Sequence, residues 1–151
     1  MVRKIWNKIK HHFLEVLKIK RSPHSIALGF SIGTLVEILP TPGFNILIAL
    51  LVVMIYEKIN KLSLFGAIIV WNPLVKTPFY ILSYKIGDMI FGSVNVVKYN
   101  IIIIDQAYNF SRRFLVGNFI LAVIMSITSY LVVRIIVTIY QKKILGTIYE
   151  D

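Results

Sequence analysis

Two ionisable residues interrupt the apolar stretches of this chain, and each sits beside residues that break helices. Glu37 is the single formal charge in the 35 residues from Ser22 to Tyr56, and Pro40, Thr41, Pro42 and Gly43 follow it directly. Lys76 lies between Asn72-Pro73 and Pro78. In hydrocarbon, an acid or base at a helix centre costs about 2.5–3.5 kcal/mol, so such residues are functional candidates by default. If the two breaks meet, Glu37 and Lys76 can pair across them, either as a gate or as the least costly arrangement of two buried charges. Glu37 could equally take up a proton or bond backbone amides freed at the break. Irregular backbone at membrane depth must be packed in protein or line a wet cavity. The candidate binding or transport path is therefore Glu37, Pro40, Thr41, Pro42, Gly43 and Asn45 with Asn72, Pro73, Lys76, Thr77 and Pro78.

The elements that position these residues follow from composition. At 151 residues the chain is one domain's worth, and 57% of it is hydrophobic with 16% charged. Typical values are about 45–50% and about 25%. A soluble domain this small lacks the interior to hide so much apolar surface, so the expected fold is an all-α integral membrane protein, a single membrane domain over residues 1–151. The net charge is +10, and seven of the 17 Lys and Arg precede the first long apolar run. A basic excess suits nucleic acid or an anionic membrane surface; beside so apolar a chain, the membrane accounts for both features and no nucleic acid is expected. With no Cys, disulfides and thiolate metal sites are excluded. No metal or other cofactor is expected: His11 and His12 are adjacent and face different directions on a helix.

Residues 1–21 read as a basic amphipathic interfacial helix. Val2, Ile5, Trp6, Ile9, Phe13, Val16 and Leu17 share a stripe, while Lys4, Lys8 and Lys18 meet anionic headgroups. Charge interrupts its apolar residues throughout, so it is no signal peptide. Ser22-Pro23 then starts a helix, with Ser as cap and Pro at the first position.

The first broken segment covers 22–56. Its pieces, Ser25–Leu39 and Phe44–Tyr56, hold 15 and 13 residues, each about 20 Å long against a bilayer core of about 30 Å. This is either a re-entrant hairpin or one kinked span. Lys18, Lys20 and Arg21 before it and Lys58 and Lys61 after it favour the hairpin, with both ends and the N-terminus on the cytoplasmic side of the cell (inner) membrane. A second broken segment, 62–87, interrupted at Asn72-Pro73 and again at Pro78, is expected as a second Pro-broken, re-entrant helical hairpin, with a spanning course as the alternative. Residues 88–113 read as an interfacial connector and 114–140 as a transmembrane helix containing the 20 uncharged residues Phe114–Val133. Gly29 and Gly33 form a GxxxG that lets helices approach closely, within the protein or in a homo-oligomer.

The order Ser22, Pro23, Ile26, Ala27, Leu28, Gly29, Phe30, Gly33, then Leu39, Pro40, Pro42, Gly43, Phe44, then Trp71, Asn72, Pro73 and Pro78, Tyr80, Tyr84, Gly87 resembles the bacterial membrane family called domain of unknown function twenty-sixty-two. Leu115 to Gly117 and Ser129 to Leu131 look like that family's final helix, so nearly the whole chain is covered. Val75 stands where that family commonly has Thr. The resemblance implies a topology and no agreed activity. Val36, Glu37, Pro40, Pro42 and Gly43, with Tyr84, Ile86 and Gly87, are also similar to the re-entrant loop of the DedA superfamily, which implies lipid scrambling or lipid-carrier transport. Phe44 replaces the acid of that pattern, which speaks against proton coupling through paired acids.

No soluble-enzyme constellation is present: acids are few and dispersed, no glycine-rich phosphate loop follows a strand, and His24 has no obvious partner. The expectation is a membrane protein that binds or moves a lipid or amphipathic solute at the broken tips. The alternative is a non-transporting anchor or assembly module whose tips are only structural.

Overall fold

Ser22 caps the first helix by accepting a bond from the Ser25 amide on its own side chain, with Pro23 in the first turn. The computed structural model describes residues 22–41, 43–92 and 100–149. The expected amphipathic segment, with Lys4, Trp6, Lys8 and Lys18, lies outside these residues, as does Pro42. The described residues form five helices and no strand: α1 (Pro23–Ile38), α2 (Asn45–Ile55), α3 (Lys61–Val70), α4 (Pro73–Phe91) and α5 (Ile102–Tyr149).

Pro40 ends α1, since the residue before a proline is pushed out of helical geometry; Leu39 is extended at ψ 140°. Gly43 then takes a positive φ of 83°, a turn conformation that side chains disfavour, and α2 follows. The chain comes back to its starting point. Ser25 Oγ donates to the Lys58 carbonyl at 2.6 Å, the Asn60 amide donates to the Ser25 carbonyl at 3.3 Å, and Ser63 Oγ donates to the Ile26 carbonyl at 2.7 Å. Residues 22–60 therefore form a helical hairpin with adjacent ends. Ala49, Ile59 and Leu64 fill it, with Leu28, Ile32 and Val52 packed around them.

α3 runs alongside α1 at backbone contact. A Cβ on Gly29 would lie 2.5 Å from the Asn60 carbonyl oxygen, and one on Gly33 would lie 2.5 Å from that of Leu64. The GxxxG thus packs within the molecule. α1 is the central helix, burying Ile26, Ala27, Val36 and Ile38 together with Ser31, Thr34 and Glu37.

Three sequence expectations need correction. The second segment has one break, at Trp71-Asn72, where α3 and α4 meet at 76°. Pro78 lies inside α4 without interrupting it, because packing on α5 holds the helix together past the lost amide bond. Nor do the ends of this segment come together. Its start at Asn60 is bonded to Ser25, next to His24, whose Nδ1 is 2.7 Å from the Tyr130 hydroxyl. Its end at Gly92 accepts from Arg113 Nη2 at 2.7 Å. Tyr130 and Arg113 are about 25 Å apart along α5 at 1.5 Å per residue, so the ends of the segment lie apart, and its 76° bend is that of a broken span or a re-entrant loop.

The connector and the final helix are also not separate elements. α5 is 48 residues long and begins at Ile102, so it absorbs Asp105, Arg112 and Arg113. The two arginines are accommodated laterally: Arg113 Nε lies 3.3 Å from Asp88, and the Arg112 guanidinium sits 4.1 Å above the Phe91 ring. α4 and α5 touch through their backbones. A Cβ on Gly87 would overlap the Arg113 carbonyl, and one on Gly117 would overlap the Ser83 carbonyl.

That contact predicts a stability contrast. Gly87→Ala should destabilise by about 1–3 kcal/mol, the usual range for overpacking, read as a lower thermal midpoint of the purified protein. Gly66→Ala, where an added Cβ meets nothing within 4 Å, should leave the midpoint unchanged or raise it, because a mid-helix Gly costs roughly 0.5–1 kcal/mol relative to Ala.

Candidate functional site

The two breaks bring their charges together. Glu37 occupies the last turn of α1 and Lys76 the first turn of α4. Lys76 Nζ donates to Glu37 Oε2 at 2.5 Å, with side chains only 6% (Glu37) and 13% (Lys76) exposed. Asn45, at the start of α2, donates from Nδ2 to the same oxygen at 3.0 Å. Thr41 Oγ1 donates to Asn45 Oδ1 at 2.6 Å, which turns the amide so that its NH2 group faces the carboxylate. Side chains, not freed backbone amides, therefore satisfy Glu37.

Local helix electrostatics oppose this arrangement. A helix C-terminus carries partial negative charge and an N-terminus partial positive charge. The acid sits at the first and the lysine at the second, each disfavoured by about 0.3–1 kcal/mol where exposed. The pair exists because tertiary structure brings both groups to one point. Underneath it, Trp71 Nε1 donates to Thr34 Oγ1 at 3.0 Å, and the Trp71 ring meets Phe79 edge to face at 4.9 Å. Ile38, Ala67, Trp71 and Ala122 close the packing below the tips.

Of the residues expected on the path, Glu37, Thr41, Asn45 and Lys76 are joined. Asn72 and Thr77 are not. The Asn72 side chain caps α4 by accepting from the Val75 amide at 3.0 Å, and Thr77 Oγ1 donates to the Pro73 carbonyl at 2.9 Å. Both are exposed, as are Gly43, Pro73 and Pro78, while Pro40 is half-buried. Asn and Thr favour such local backbone bonds near helix starts, and that competing role was the one the sequence pattern concealed.

Three polar contacts were not anticipated. Arg134 Nη1 donates to the Tyr130 hydroxyl at 3.1 Å, so His24, Tyr130 and Arg134 form a chain at the start of α1. Ser126 Oγ donates to the Ser31 carbonyl at 3.0 Å midway along α1. Asn118, fully buried, donates to Ser83 Oγ at 3.3 Å. Four-residue spacings of small or polar side chains, such as Ser83 with Gly87, were the available signal for the last of these. Among the described residues no three His, Asp or Glu side chains gather where they could hold a metal ion.

A family described as "Uncharacterized protein conserved in bacteria (DUF2062)" matches residues 7–145. The chain belongs to that family. No curated protein and no solved structure matches it, and the DedA resemblance is not supported by any match. The DUF2062 match runs through both breaks and most of α5, so the pair lies well inside the shared region.

Removing one partner of a buried ion pair strands the other charge. In this DUF2062 chain Lys76→Met should cost about 3–5 kcal/mol in chemical denaturation. Adding Glu37→Gln in the same molecule should restore most of that loss. A double variant no more stable than Lys76→Met would show that the two side chains are not energetically coupled.

Proposed function

We propose that this chain is an integral membrane protein of the cell membrane that binds or translocates a lipid or amphipathic solute at its broken-helix tips. The observation that carries the reading is an inversion of the usual distribution of side chains. Phe44, Met54, Ile55, Ile69, Leu74 and Met89 are each more than 60% exposed, whereas Glu37, Thr34, Ser83 and Asn118 are at most 4% exposed. Water does not select such a surface over so many turns; contiguous exposed apolar area marks a lipid or partner contact. α5 supplies the long apolar helix, and its 20 uncharged residues Phe114–Val133 match a bilayer core of about 30 Å.

In this reading residues 22–60 are a re-entrant hairpin and α3 with α4 a broken span. Ala122, beside Ile38 and Trp71, is near the midpoint of the uncharged stretch, which supports a mid-membrane depth for the tips. Basic residues before Ser22 hold the N-terminus on the cytoplasmic side and meet anionic headgroups. A second reading, a non-transporting anchor or assembly module, draws support from the closed packing of Trp71 and Thr34 beneath the pair.

Two measurements separate them. The protein should stay with the membrane pellet through alkaline carbonate extraction; release into the supernatant would defeat both. Reconstituted in liposomes, it should move fluorescent lipid between leaflets faster than empty vesicles, and Glu37→Gln should alter that rate. Equal flux from both proteins would remove Glu37 from the mechanism, and no flux from either would leave the anchor.

A further inference from the structure

The Glu37–Lys76 pair is paired but not saturated. Both bonds to the carboxylate fall on Oε2, from Lys76 and from Asn45, and Oε1 accepts none among the described residues. An ammonium group has three N–H donors; Lys76 spends one, on Glu37. The two side chains are 94% and 87% buried, yet Oε1 is not one of the enclosed side-chain atoms that lack a partner, so the pair shows both its signs at an accessible edge of the tips. A paired acid and base at such an edge are complementary to a ligand that carries both signs.

We infer that this pair is a receptor for one zwitterionic headgroup, a primary ammonium joined to a phosphate, as in an ethanolamine phospholipid. The inference rests on the membrane-embedded reading above. The ammonium donates to Glu37 Oε1 and the phosphate oxygens accept from Lys76, so the ligand adds to the pair without breaking it. Thr41 holds Asn45 in place and keeps Oε2 occupied, which leaves Oε1 as the acceptor for the ligand. Phe44, Leu74 and Val75, next in sequence to the polar groups, are 62%, 86% and 38% exposed and provide apolar contact for the acyl chains. A quaternary choline has no N–H to give Oε1, and a glycerol headgroup has no positive charge to face it.

The test uses the purified full-length chain in detergent. Phosphatidylethanolamine, phosphatidylcholine and phosphatidylglycerol with identical acyl chains are added separately, and lipid retained is read by native mass spectrometry. The ethanolamine lipid should be retained about tenfold more tightly than either of the others, the ratio expected from one charge-assisted hydrogen bond. The Glu37→Gln/Lys76→Met double variant, which leaves no stranded charge, should bind all three alike. Equal retention by the natural protein, or an undiminished preference in the double variant, would overturn the inference. Displacement by equimolar glycerophosphoethanolamine would also overturn it, by assigning the site to a soluble headgroup. A protein that resists carbonate extraction and moves lipid, yet shows no headgroup preference, would refute this inference alone.

Discussion

The ion pair between Glu37 and Lys76 is the point to which the chain's irregularities lead. Each charge stands at the helix end that repels it, so neither α1 nor α4 would favour its own residue in isolation. Bringing the two within 2.5 Å requires α1 to stop at Ile38 and α4 to start at Pro73. It also requires the hairpin turn to carry Asn45 back over the carboxylate, which ties α2 to the same spot. Three helices therefore converge on one oxygen atom. The breaks that look like defects in the apolar pattern are what make that convergence possible, since a straight α1 or a straight α3–α4 rod would carry the charges past each other.

α5 is the frame on which this is built. α1 leans on its later part, through Tyr130 and Ser126, and α4 on its earlier part, through Asn118 and Arg113. Ala122, fully buried, belongs to the cluster where Ile38 and Trp71 meet, and is where the two halves adjoin. Close approach is purchased with glycine on both sides: Gly29 and Gly33 admit the α3 backbone, and Gly87 and Gly117 make room between α4 and α5. With backbones in contact, the helices have little freedom to slide, so the position of the tips is set by main-chain packing and not only by the charges.

What could be read in the sequence was whatever depends on local rules. Ser22-Pro23, Pro40 and the Asn72-Pro73 break act by fixed backbone preferences, and α1 to α3 start and stop within one or two residues of the expected places. The closeness of Glu37 and Lys76 was available as a conditional, because two charges in apolar runs have few other partners. What escaped was whatever depends on a neighbour. Pro78 breaks an isolated helix, yet α4 continues through it because Ser83 and Gly87 lie against α5. Asp105, Arg112 and Arg113 interrupt hydropathy, and that alone split a 48-residue helix into a connector and a span. Asn72 and Thr77 were polar residues near a tip, and nothing in their types distinguishes a cap from a cavity wall.

Stability is a weak account of why such a pair is there. Replacing a buried ion pair with well-packed apolar side chains is often neutral or favourable by about 1–4 kcal/mol. Register is a better account. Starting α4 one residue later would rotate Lys76 by about 100° around the helix axis and turn it away from α1. Apolar packing would resist that slip poorly, since Leu74 and Val75 on the same turn are already 86% and 38% exposed and lose little burial by moving. The Asn72 cap and the charge pair fix the start of α4 at its first turn, and the backbone contact of Gly87 and Gly117 fixes it farther along. The first two of these features keep the carboxylate of Glu37 and the ammonium of Lys76 side by side.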